Sequence, residues 1–205
     1  MFNGLVREIA KVKSYQNNIL SLIAKHKPNL GDSIAVNGAC LSVVEVFKNG
    51  FALELSKETR LHIALENLKN EVHIEAALRY GERIDGHLLQ GHIDGIGEIL
   101  SIVKNENGTD FFIKIPANLQ QFMAEKGSIG VDGVSLTINE VLKEGIRLTL
   151  IPITLRESLF KNYKIGRRVN IESDLLARYI ARIMENKSFK KDLSWQDIDK
   201  IAYLY

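Results

Sequence analysis

Apolar and polar positions alternate along most of the chain, and two stretches do so in nearly the same words. LSVVEVFKNGFALEL, from Leu41, joins two apolar-rich runs across Asn49-Gly50, and LTINEVLKEGIRLTLIP, from Leu136, repeats the arrangement around Glu144-Gly145. Alternation on either side of a turn dipeptide predicts a β-hairpin in each. SIAVNG at Ser33 and EVHIEAAL at Glu71 predict further short strands. After each hairpin one helical segment is predicted, at ETRLHIALENL and ITLRESLFKNY, with Thr59 and Thr154 as caps. Beyond Asp174 the period changes. Leu175, Leu176, Tyr179, Ile180, Ile183 and Met184 recur at helical spacing, with Asp174 at the N-terminus of that helix. SWQD at 194–197 predicts a capping box for another helical piece.

Sliding the chain along itself by 95 positions aligns residues 33–59 with 128–154 without a gap, and 12 of 27 positions are identical. VHIEAAL at Val72 likewise echoes VNIESDL at Val169. This is an internal duplication whose copies span roughly 85–95 residues, too few in number for a solenoid and each large enough for its own core. Two homologous domains are expected, at 1–87 and 88–173, followed by a helical tail at 174–205. A domain of about six short strands removes its exposed edges by closing into a small barrel. The expected fold is therefore mainly β: two homologous six-stranded Greek-key closed barrels plus a C-terminal α-helix. The apolar stripe of that helix must be buried, either on its own barrels or between subunits.

Composition narrows the function. With 45% hydrophobic residues, 25% charged residues and a formal charge of only +2, the basic side chains are intermixed with acidic ones, which argues against a nucleic-acid partner. The N-terminus lacks a charged leader before an apolar core, and no apolar run approaches the ~18 residues of a membrane span, so a cytoplasmic protein is expected. Cys40 is the lone cysteine, which excludes an internal disulfide. His87 and His92 are five apart, off one helix face, and no cysteine or carboxylate cluster completes a tetrahedral set, so no metal is predicted. VNGAC and VDGVS contain neither a P-loop nor a dinucleotide fingerprint, so no cofactor is predicted.

The blocks MFNGLV, GDSIAVNGACLSV, SKET, GHLLQGHIDG, KGSIGVDGVSLTI, IPITL and VNIESDLLARY follow one another inside the duplicated chain. In order and spacing this resembles the riboflavin synthase alpha chain over about residues 1–185. The resemblance implies barrels like those that bind flavin in reductases, and a C-terminal helix that gathers three chains into a homotrimer. It implies conversion of two molecules of 6,7-dimethyl-8-ribityllumazine, two per site, into riboflavin and 5-amino-6-ribitylaminouracil. It leaves association with lumazine synthase open. Three departures stand out: Asn3 and Ser42 where threonine is usual, and Asp85 where glycine is usual.

A dismutation of two identical molecules needs two pockets for one ring, and a duplicated barrel supplies both. The copies must nevertheless differ, and they do at Asn37 against Asp132, Cys40 against Ser135 and Ser42 against Thr137. By resemblance, the binding segments of the N-barrel are Gly4, Leu5, Val6, Cys40, Leu41, Ser42, Glu54, Leu55, Ser56, Lys57, Glu58 and Thr59. Those of the C-barrel are Gly91, His92, Ile93, Lys126, Ser135, Leu136, Thr137, Leu150, Ile151, Pro152, Ile153, Thr154 and Leu155. Ser33 adds a hydroxyl. The catalytic candidates are Ser135 and Thr137, which orient a nucleophile; His92, which relays protons; Cys40; and Asp174, which with Lys126 stabilises charge or holds ribityl hydroxyls. For Ser135 the competing role is a strand hydroxyl satisfying a neighbouring backbone group, and for Cys40 a small buried apolar residue. In another class stands a non-catalytic lumazine-binding antenna protein, which should have lost polar residues from one copy. Both copies keep hydroxyls at Ser42 and Thr137 and at Thr59 and Thr154.

Overall fold

Three tight turns rest on pairs of residues in the left-handed region: Asn17-Asn18, Asn37-Gly38 and Asp132-Gly133, with φ of 50° and 68°, 43° and 84°, and 44° and 78°. Asparagine, aspartate and glycine tolerate this region, and the resulting turn follows the twist of the strands it joins. The structure, a computed structural model, describes residues 1–185. The predicted SWQD cap and the rest of the tail beyond residue 185 lie outside the described residues.

The first copy contains β1 (Glu8–Gln16), β2 (Ile19–Ile23), β3 (Ser33–Val36), β4 (Ala39–Phe47), β5 (Gly50–Glu54) and β6 (Glu71–Ala76). The second contains β7 (Gly95–Asn105), β8 (Gly108–Lys114), β9 (Ser128–Val131), β10 (Val134–Leu142), β11 (Gly145–Leu150) and β12 (Arg168–Ser173). Each set closes into a six-stranded antiparallel barrel, in the order β1-β2-β5-β4-β3-β6 and its counterpart β7-β8-β11-β10-β9-β12. Register shifts fall at matching places, Val12/Ser14 with Ile99/Ser101 and Val43/Glu45 with Ile138/Glu140. Such bulges add the local twist that lets a short sheet close. Each barrel has its own core, one around Leu20, Phe51 and Leu53, the other around Phe111, Ile129 and Leu148.

Two local expectations need correction. The hairpins turn on Lys48-Asn49 and Lys143-Glu144, and Gly50 and Gly145 are instead the first strand residues. Glycine is needed there because a Cβ would collide with the Leu22 carbonyl oxygen at Gly50 and with that of Ile113 at Gly145. Nor do Thr59 and Thr154 cap their helices. Ser56 caps α1 (Lys57–His62), its hydroxyl accepting from Thr59 N–H at 3.0 Å. α2 (Pro152–Glu157) starts after Ile151 with no side-chain cap, and Pro152 in its first turn lacks a donor the helix would leave unpaired anyway. α3 (Leu175–Glu185) begins as expected, with the Asp174 carboxylate accepting from Leu176 N–H at 2.8 Å.

The barrels meet across a near-symmetric polar network. His73 donates its Nδ1–H to the Asp132 carbonyl at 2.9 Å, and its Nε2 accepts from Leu159 N–H at 2.7 Å. Asn170, the counterpart on β12, donates to the Asn37 carbonyl at 2.9 Å and accepts from Ala64 N–H at 2.8 Å. An imidazole and a carboxamide thus perform the same bridging task. Gly38 and Gly133 approach so closely that a Cβ on either would press on the other's backbone. Asn37 and Asp132, expected among the residues that set the pockets apart, are buried in this contact, Asp132 with 0% exposure. Tyr163 OH donates to Asp132 at 2.6 Å, and Arg167 lies 3.6 Å from its carboxylate and 4.1 Å over the Tyr163 ring. Burial raises the Asp132 carboxyl above its usual range, against the pull of Arg167 and Tyr163.

His73 is pushed down to about 4, chiefly by burial, with the Arg167 charge adding to it and the Asp132 carbonyl opposing it. Its folded pKa lies below the unfolded value of 6.5, so its contribution is complete above pH 6.5 and is lost as pH falls toward 4. The drop from 6.5 to about 4 corresponds to about 3 kcal/mol. His73→Asn copies the solution used at Asn170. The stability difference between wild type and this variant should shift toward the variant by about 3 kcal/mol between pH 7 and pH 4. Urea titrations across that range measure it, and a constant difference would refute the assignment.

No helix among the described residues is long and apolar enough to cross a membrane. None of the residues of α3 is buried, and Leu176, Tyr179, Ile180, Ile183 and Met184 are 50–68% exposed. The apolar stripe does not cover its own barrels.

Candidate functional site: two exchanged walls

Each barrel borrows part of its site wall from a segment that precedes the other. Phe2 and Leu89 pair antiparallel by reciprocal backbone hydrogen bonds of 2.8 and 3.0 Å, and from this crossing residues 3–6 lead to the C-barrel and residues 90–93 to the N-barrel. From this crossing the Gly4 carbonyl accepts from Ser135 N–H and the Gly91 carbonyl accepts from Cys40 N–H, both at 2.8 Å. Val6 packs on the C-barrel core and Ile93 on the N-barrel core. The grouping inferred from the resemblance is therefore crossed: Gly4, Leu5 and Val6 stand against the C-barrel, and Gly91, His92 and Ile93 against the N-barrel. Glycine is required at both junctions, where φ is 75° and 79° and a Cβ would strike Ser135 or Cys40.

The N-barrel site is a cleft of about 520 Å³ lined by Ala39, Cys40, Glu58, Thr59, His62, Ile63 and residues 91–94. Its volume falls within the ~300–1,000 Å³ of small-molecule sites. His62 pairs with Glu58 at 2.9 Å on its rim. His92 belongs here, not beside Ser135 and Thr137 as expected. The reason is the crossing: Gly91 is pinned to Cys40, and the next residue follows it.

On the C-barrel side, His87 takes the place foreseen for His92. Its Nδ1 lies 2.7 Å from Ser135 Oγ, and its backbone N–H donates to the Asn3 carbonyl at 3.3 Å. Burial lowers the His87 pKa, opposed by the Asp174 carboxylate, so the ring is neutral near pH 7. Its Nε2 is buried with no partner among the described residues. His87 and Ser135 thus form a hydrogen-bonded pair whose ring feels the Asp174 carboxylate, with the second imidazole nitrogen unpartnered. Val6 of the same wall also lines a cleft of about 500 Å³ with Arg7, Glu8, Ile9, Lys25, Arg156 and Glu157, which Ser135 and His87 do not line.

Other predicted residues scatter. Leu41, Leu55 and Leu150 are buried in the cores, and Leu136 and Leu155 pack against the second. Ser33 and Ser42 face each other across β3 and β4, as Ser128 and Thr137 do across β9 and β10. Ser42, Thr137, Glu54, Lys57, Lys126 and Ile153 are exposed, and Lys126 holds φ of 64° while its N–H donates to the Ile138 carbonyl at 2.8 Å. Asn3, one of the departures, is fully buried: its Oδ1 accepts from Leu5 N–H at 3.0 Å and its Nδ2 donates to the Arg83 carbonyl at 3.3 Å. Asp85 pairs with Arg83 at 2.7 Å on the exposed connection between the barrels. No group of three or more His, Cys, Asp or Glu side chains is arranged to hold a metal among the described residues.

Two six-stranded barrels of identical topology, each walled in part by the segment that precedes the other, define a duplicated-barrel protein. The lumazine binding domain family matches at residues 3–77 and again at 90–174. Riboflavin synthase of Photobacterium leiognathi is 34% identical over 202 residues, covering 94% of this chain and 93% of that protein. The Bacillus subtilis (strain 168) riboflavin synthase is 35% identical over 200 residues, covering 93% of each. Among solved structures, LumP complexed with riboflavin superimposes with a TM-score of 0.75 at 22% identity, covering 84% of this chain and 99% of LumP, a likeness of fold. The chain belongs to the riboflavin synthase family of lumazine-binding proteins, a family of transferases.

Proposed function

We propose that this chain converts two molecules of 6,7-dimethyl-8-ribityllumazine into riboflavin and 5-amino-6-ribitylaminouracil, the final step in making riboflavin. The observation that carries the reading is the pair of equivalent sites with exchanged walls, one ending in Cys40 and the other in Ser135 hydrogen-bonded to a neutral His87. Two identical substrates need two matching recesses, while donor and acceptor roles need different polar groups in them.

The two substrate molecules contain every atom of the two products, so no co-reactant has to be supplied. One lumazine loses a proton from its 7-methyl group and the ring spreads the resulting charge. A nucleophile adds at C7 of the other, and a four-carbon unit passes between them. His87, with Nε2 free, handles the proton, and Ser135 orients the nucleophile. Holding two rings face to face is the main contribution, since proximity alone can be worth ~7–11 kcal/mol. The exposed stripe of α3 gathers chains into a cytoplasmic homotrimer, in which an N-barrel of one subunit meets a C-barrel of the next. The hydroxyls retained in both copies count against a one-site antenna protein.

Incubating the purified chain with 6,7-dimethyl-8-ribityllumazine alone should yield one riboflavin for every two lumazines consumed, followed by absorbance, and turnover should survive exhaustive chelation. Binding without conversion would favour the antenna protein, and loss of turnover restored by one metal would refute the mechanism.

A further inference from the structure

Two buried carboxylates at equivalent positions take no part in the acid–base pair. Glu75 on β6 accepts the N–H groups of Asn3 and Gly4 at 2.9 and 3.1 Å. Glu172 on β12 accepts those of Gln90 and Gly91 at 2.6 and 3.0 Å. In each case the clamped glycine then turns its carbonyl to the opposite barrel, Gly4 to Ser135 and Gly91 to Cys40. The two carboxylates are 6% and 2% exposed, where a charged group persists only if its partners hold it. Burial raises both, Glu172 to about 7, and the N–H donors work against that rise.

We propose that Glu75 and Glu172 are positioning residues that act crosswise: the N-barrel's Glu75 holds the wall of the Ser135 site, and the C-barrel's Glu172 holds the wall of the Cys40 cleft. The two clamps are unequally supported. Behind Glu172, Asp94 accepts from Ser173 N–H and Oγ–H, both at 2.7 Å, and Arg178 of α3 donates to Asp94 at 2.9 Å and to Gln90 at 2.8 Å. The counterpart of Asp94 in the first copy is Arg7, which cannot accept those bonds. The Cys40 wall is therefore tied to the C-terminal helix, and the Ser135 wall rests on Glu75 and on Asn3. Damage to one barrel's glutamate should appear in the other barrel's site. Only the description of these sites as ligand pockets rests on the proposed function; the crosswise support does not.

Glutamine keeps the shape of the side chain but turns one acceptor oxygen into a donor facing an N–H. Amide hydrogen exchange read residue by residue on the full chain tests this directly. Glu172→Gln should speed exchange at Cys40 by about tenfold or more and leave Ser135 within about twofold, and Glu75→Gln should do the reverse. Glu75→Asp and Glu172→Asp, which keep both oxygens but withdraw them, serve if a glutamine variant fails to fold. They should give the same crossed pattern more weakly. A second readout is alkylation of Cys40 by iodoacetamide with and without riboflavin. Riboflavin should protect Cys40 in the wild type and in Glu75→Gln, and protect it much less in Glu172→Gln. Exchange that rises in the mutated barrel's own site, or equally in both, or in neither, overturns the proposal. Crossed exchange with no protection by riboflavin in the wild type upholds the crosswise support and counts instead against the pocket reading.

Discussion

Ser135→Ala is expected to lower turnover by about 10²-fold or more while changing ligand affinity by less than about tenfold, the split produced by losing an interaction made mainly in the transition state. The backbone at this position is held by the Ser135 N–H bond to the Gly4 carbonyl, which does not depend on the side chain. Removing the hydroxyl therefore leaves the wall standing and deprives His87 Nδ1 of its 2.7 Å partner. The ring then loses the contact that fixes its tautomer and orientation, and its proton is delivered less often in the productive geometry. Cys40→Ala, in the other site, should shift affinity and rate differently, because no histidine is hydrogen-bonded to that thiol among the described residues. Single-turnover kinetics with separate binding titrations resolve the two quantities. Equal, small losses in both would reduce Ser135 to a strand hydroxyl.

Cutting the chain after Ser173 should abolish most turnover, by about 10²-fold at low protein concentration, while both barrels stay folded and still bind riboflavin. Each barrel closes on its own core, so neither depends on α3 for stability. In the proposed trimer, however, the substrates meet only where an N-barrel and a C-barrel face each other across subunits. The cut also removes Arg178, which braces the Cys40 wall. Ile180→Glu with Ile183→Glu in the full-length chain separates the two effects, since it charges the exposed stripe and keeps Arg178. Sedimentation should show monomers for both variants. A fully active monomer would disprove the link between assembly and catalysis.

The duplication, the hairpins and the six strands per copy were legible because they leave local or periodic marks: alternation, turn dipeptides, a repeated offset. The crossing of Gly4 and Gly91 was not, since a contact between residues 4 and 135 leaves no period to detect. The sequence accordingly groups His92 with Ser135, whereas it lines the cleft beside Cys40, and it offers His87 only as half of a metal pair. Asn37 and Asp132 differ between the copies, which read as a pocket distinction. Their turns instead meet each other at the barrel contact, where Asp132 has Tyr163 and Arg167 to hold its charge and Asn37 has neither. A signal for Glu75 and Glu172 did exist, as the same glutamate stands in IEAAL and IESDL. Nothing in one sequence said that its carboxylate would serve the neighbouring barrel.

The crossed walls also bear on how the chain comes off the ribosome. All six strands of the first barrel have been made once Ala76 emerges, and its core can close at that point. The Cys40 wall then waits for Gly91, and the Ser135 wall uses Gly4, which must be kept available until position 135 exists. Contacts this distant in sequence close late, because the loop-closure cost is met before any contact repays it. Phe2 and Gly4 thus wait for their final partners until Leu89 and Ser135 are made. A bulky group fused directly ahead of Met1 would have to travel with that segment to the junction where Phe2 meets Leu89.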